Sequence, residues 1–112
     1  MSVTVFEDID RHDARTFTAT FVIPGGDPAT PADRRDPTAV YHAIRTPAGV
    51  ETEIQYGQPG GAALTKASTG VYQYTVLDFD QELSWWGRFR GTGSFAAVVV
   101  YEARVRTDVF TT

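Results

Sequence analysis

The sequence predicts an all-β domain, two antiparallel sheets packed face to face, and three observations carry that expectation. Apolar and polar residues alternate with a period of two in stretch after stretch, while no segment sustains a helical period. Gly and Pro cut these stretches to strand length. Two pairs of stretches close into hairpins, each with an apolar face opposite a more polar one. About seven short strands result, which fits a sandwich; a small closed barrel is the rival arrangement.

The first clear strand is "RTFTATFV", Arg15–Val22, with Phe17, Ala19 and Phe21 on one face and three threonines on the other. Ile23–Pro37 then holds four of the six prolines, so a long surface loop is expected, functional or pinned by a neighbour. Thr38–Gly57 reads as a hairpin turning at Pro47 and Gly49. Closing it with Thr46 opposite Val50 sets Arg45 beside Glu51, Ile44 beside Thr52, His42 beside Ile54 and Val40 beside Tyr56. Val40, His42, Ile44, Ile54 and Tyr56 form the inner face; Tyr41, Arg45, Glu51, Glu53 and Gln55 form the outer one. A glycine-rich turn follows, with Gly60-Gly61 read as loose. Strands are then expected near Ala63–Ala67 and over Val71–Val76, the latter with Tyr72, Tyr74 and Val76 inside.

The next strand holds adjacent tryptophans, which must point to opposite faces. Taking Gly91-Thr92-Gly93 as a hairpin loop, with Arg90 opposite Ser94, sets Phe89 beside Phe95, Gly87 beside Ala97 and Trp85 beside Val99. The other face pairs Arg88 with Ala96 and Trp86 with Val98, then runs through Val100 to Glu102, Arg104 and Arg106. Trp85 is therefore the core residue and Trp86 the outward one. Gly49 and Gly93 are both expected at positive φ.

Composition narrows the function. An apolar share of 42% with 21% charged residues argues against disorder. The net charge is −4 and no cluster of Lys or Arg builds a basic face, so nucleic acid is not an expected partner. The longest apolar run, Phe95–Tyr101, is too short to span a membrane, and the acidic N-terminus has no apolar core of a signal peptide. No cysteine is present, which excludes disulfides and thiolate metal sites and fits assembly in a reducing cytoplasm.

Catalytic chemistry has few candidates. His42 alternates with Val40 and Ile44 and reads as a buried, hydrogen-bonded core residue, which leaves His12 as the other histidine. The four serines fall at turns or strand ends and no nucleophile elbow exists, so no catalytic residue is assigned. The acidic runs "EDIDRHD" and "DFDQE" lack the regular spacing of a calcium loop and read as solvated charges, so no metal and no cofactor is expected. The outward face stands out: Trp86, Arg88, Arg90, Val98 and Val100 combine residue types enriched at protein interfaces. Cover by the N-terminal segment or the proline loop, and a stacking platform for sugars, are the competing readings. Ala96–Tyr101 is apolar on both faces, so something beyond the core should cover it.

Four segments, "RTFTATF", "DPTAVYHAIRTPAGVETEIQYG", "LTKASTGVYQYTV" and "LSWWGRFRGTGSFAA", follow one another in an order that resembles small immunoglobulin-like structural proteins of tailed bacteriophages. The resemblance spans about Ala14 to Arg106. It implies an immunoglobulin-like antiparallel β-sandwich of about seven strands over residues 14–106, with an N-terminal arm at 1–13 and a C-terminal tail at 107–112. It further implies a non-enzymatic virion protein assembled in the host cytoplasm, a head decoration or head–tail accessory subunit. Major capsid or connector subunits would be its partners, and it would be present as a homo-oligomer or in many copies. A carbohydrate- or receptor-binding module is the alternative. The long Pro24–Pro37 loop and the tail "TDVFTT" exceed the family pattern and read as contact arms.

Overall fold

A computed structural model describes residues 2–93 and 97–106, the stretch 2–7 as backbone only. Its strands are β1 (Ser2–Asp10), β2 (Arg15–Thr20), β3 (Ala39–Arg45), β4 (Glu51–Gln55), β5 (Leu64–Ser68), β6 (Val71–Val76), β7 (Leu83–Thr92) and β8 (Ala97–Arg106). They form a five-stranded sheet in the order β1-β8-β7-β3-β4 and a three-stranded sheet in the order β2-β6-β5. Neighbouring strands run antiparallel except β1, which pairs parallel to β8 from Ser2↔Val98 to Asp10↔Arg106. Among the described residues eight strands thus stand where about seven were expected, because residues 2–10 of the presumed arm supply the sheet's edge. The Val–Thr–Val–Phe start of that segment suits a pleated strand. The tail at 107–112 lies outside the described residues.

The β3–β4 register agrees with the expected pairing, from Arg45↔Glu51 to Tyr41↔Gln55. The β7–β8 register does not. Phe89 pairs with Val99 and Trp85 with Ala103, a slip of four residues, and Gly91 and Thr92 belong to β7 rather than to a turn. The expected partners Ser94, Phe95 and Ala96 lie outside the described residues. Gly91 is glycine for packing: a Cβ there would lie 2.7 Å from Pro37 Cγ and 2.8 Å from Phe21 Cε1. An even slip keeps every side chain on its face, so Trp85 is inside and Trp86 outside as expected. Gly49 and Gly93 have φ of 86° and 90°, as their turns require. Gly61 is not loose, since a Cβ would press on the Gln55 carbonyl.

The core between the sheets is aromatic. Phe17 stacks on Tyr101 with centroids 3.8 Å apart, and Phe79 meets both Phe17 and Trp85 edge to face. His42 is fully buried, stacked on Tyr74 at 3.7 Å, and shares a 2.8 Å hydrogen bond between its Nε2 and the Tyr101 hydroxyl. Tyr101 also lies flat over Gly87, where any Cβ would collide with its ring.

The proline loop is pinned to the smaller sheet. Val22 bridges Arg34, and the Asp36 carboxylate accepts hydrogen bonds from Lys66 Nζ at 2.7 Å, Gly70 N at 2.8 Å and the Tyr72 hydroxyl at 3.1 Å. Burial alone would raise the Asp36 pKa, but these bonds hold it below the ordinary carboxylate value. At the other end of the molecule, Leu83 opens β7 with φ of 81° while 74% exposed. A leucine gains little there and carries left-handed strain. Leu83→Gly is expected to raise stability by about 0.5–1 kcal/mol, read as a higher urea midpoint at unchanged m-value.

Candidate docking face

Because β3 sits beside β7, two strand pairs far apart in sequence, β3–β4 and β7–β8, build one outer lattice. Its rows follow from the registers: Val98–Arg90–Tyr41–Gln55, then Val100–Arg88–Ala43–Glu53, then Glu102–Trp86–Arg45–Glu51. All five residues assigned to the interface are on this face. The slip corrects their neighbours, however: Trp86 is flanked by Glu102 and Arg45, and Val98 is two rows away.

Small residues shape the surface. Ala43 is buried between Arg88 and Glu53, and its short side chain lets Arg88 Nη2 reach Glu53 Oε2 at 3.3 Å. Arg90 Nη2 approaches the other oxygen of the same carboxylate at 3.4 Å, its guanidinium 4.2 Å from the centre of the Tyr41 ring. Arg88 Nε is buried with no hydrogen-bond partner among the described residues. Between the last two rows a hollow of about 310 Å³ opens, lined by Ala43, Arg45, Glu51, Trp86, Gly87, Arg88 and Val100. Trp86 stands at this hollow 39% exposed, while Val98 and Val100 are half-buried. Glu102 is buried beside Trp86, where the Ser84 hydroxyl and Arg104 Nε donate to its carboxylate and hold its pKa down.

Neither expected source of self-cover lies over this face. The backbone of β1 continues the sheet beside β8, and the proline loop is tied to the other sheet through Asp36. Sequence reading missed Tyr41, Ala43, Arg45, Glu51 and Glu53 as members of the site. The β3–β4 pairing was legible, but the β3–β7 contact joins strands 39–45 and 83–92, which no local signal connects.

The two acidic runs meet at the far end of the sandwich. Arg11 pairs with Glu82 at 3.8 Å, His12 Nδ1 lies 2.8 Å from Asp78, and Arg106 Nε bonds Asp10 at 2.7 Å. His12 N–H and Phe79 N–H bind the Phe79 and Asp13 carbonyls, so backbone ties the runs together. Among the described residues no group of His, Asp and Glu could hold a metal ion.

No protein-family model matches the chain, and no curated protein matches it. Solved structures do. The chain is similar to the crystal structure of the ZIG-8 IG1 homodimer, with a TM-score of 0.51 at 9% identity over 95% of this chain and 82% of that one. It is also similar to the ZIG-8–RIG-5 IG1–IG1 heterodimer, with a TM-score of 0.48 at 9% identity over 92% and 82%. With the two-sheet topology above, the fold is an immunoglobulin-like β-sandwich.

Proposed function

We propose that this chain is a non-enzymatic docking subunit that binds another protein through the outer face of its five-stranded sheet. On the resemblance in segment order, we place it in the virion of a tailed bacteriophage, as a head decoration or head–tail accessory protein. The observation that carries the docking reading is the contrast between the two outer faces. The smaller sheet presents Thr16, Thr18, Thr65, Gln73 and Thr75, a hydroxyl and amide surface suited to water. The larger sheet presents Trp86 at the edge of a hollow, with two valines and three arginines around it. Exposed Trp and Arg around a concavity are what anchors at protein interfaces look like. A non-catalytic role is supported by His42, which is sealed in the core away from any substrate.

Purified virions should contain the chain at a fixed ratio to the major capsid protein. The Trp86→Glu/Val100→Glu double variant, folded by circular dichroism, should be missing from them. Absence of the wild-type chain from particles overturns the virion placement. Normal incorporation of the double variant overturns the docking face, and glycan binding lost on Trp86→Ala would replace it with a saccharide platform.

A further inference from the structure

We infer that the occupant of this face is a second copy of the same chain, packed about a two-fold axis so that each Trp86 seats in the other's hollow. The inference rests on the docking reading above. A two-fold interface joins one patch to itself, so that patch must carry both halves of every contact. This face does so twice. A projecting indole stands beside a hollow of about 310 Å³ whose lining includes the small residues Ala43 and Gly87. The same hollow is lined by one basic and one acidic side chain, Arg45 and Glu51, neighbours across β3–β4. Neither makes an ion pair among the described residues, whereas Glu53 is already shared by Arg88 and Arg90. A partner surface of either single sign would set a like charge against Arg45 or against Glu51. A second copy turned about the axis brings an acid to each Arg45 and a base to each Glu51.

Charge reversal tests this with a readout that only a two-fold pairing produces. By sedimentation equilibrium the wild-type chain should dimerise in a concentration-dependent way. Arg45→Glu alone and Glu51→Arg alone should each weaken the dimer roughly tenfold or more, since each places like charges across the axis twice. Mixing the two variants should restore dimerisation near the wild-type affinity as a one-to-one heterodimer, because every contact across the axis then joins an acid to a base. A wild-type chain that stays monomeric up to ~1 mM, single variants that dimerise normally, or a mixture without recovery each overturn the inference. The docking reading is separable. If the wild type is monomeric yet Trp86→Glu/Val100→Glu is still lost from virions, the face docks a different protein. If a dimer forms and survives Trp86→Glu, it uses another surface.

Discussion

Trp85→Ala is expected to cost about 3–5 kcal/mol, whereas Trp86→Ala next to it should change stability by no more than about 1 kcal/mol. The two rings belong to the same strand and differ only in the side of the sheet they occupy. Trp85 is 7% exposed, packs edge to face on Phe79 with centroids 5.2 Å apart, and donates its Nε1–H to the Gln81 carbonyl at 2.9 Å. Truncation removes the ring contacts, leaves a void among Phe79 and its neighbours, and takes away that carbonyl's donor. The total stability of a domain of this size is about 5–15 kcal/mol, so the loss is a large part of the whole. Antibody domains cross-link their sheets with a buried disulfide. This chain has no cysteine, so aromatic packing holds the layers without covalent help. Urea denaturation followed by circular dichroism compares the two variants. A larger loss at Trp86 would mean that the faces of β7 are reversed.

That comparison also shows what could be read from the sequence and why. The inside–outside order of Trp85 and Trp86 depends only on the strand's period of two, so it survived a hairpin register displaced by four residues. The displacement arose because a glycine has two uses. Gly49 and Gly93 turn the chain at positive φ, while Gly87 and Gly91 clear space for Tyr101, Pro37 and Phe21 arriving from elsewhere. Only the first use leaves a local signature. The docking face shows the same division. Trp86, Arg88 and Arg90 were legible as a stripe, but the hollow needs Ala43, Arg45 and Glu51 from strands that reach β7 through the fold. Asp36 is a further case: nothing near Asp-Pro-Thr indicates that its carboxylate will hold Lys66, Gly70 and Tyr72.

Acid should weaken the fold by about 2–3 kcal/mol between pH 7 and pH 4.5, and one residue should account for it. His42 is buried between Tyr74 and Phe89, with Nε2 on the Tyr101 hydroxyl and Nδ1 without a partner among the described residues. Burial disfavours the imidazolium and lowers its pKa from 6.5 to about 3. In the unfolded chain the ring titrates normally, so below pH 6.5 the unfolded state binds a proton that the folded state refuses. The contribution of this neutral histidine is therefore complete above the unfolded pKa and shrinks as pH falls toward the folded one. Each pH unit inside that window costs about 1.4 kcal/mol. The Asp36 carboxylate, depressed by its hydrogen bonds, has the same sign, but its contribution fades only below the unfolded Asp value of about 4. The two effects thus occupy different parts of the titration. His42→Phe should lower stability at pH 7, because the Tyr101 hydroxyl loses its partner, yet flatten the profile from pH 6.5 to 4.5. Urea midpoints across that range measure both. A wild-type profile that is already flat would mean that the imidazole accepts its proton inside the folded core, and a slope that persists in His42→Phe would mean that another group carries the acid loss.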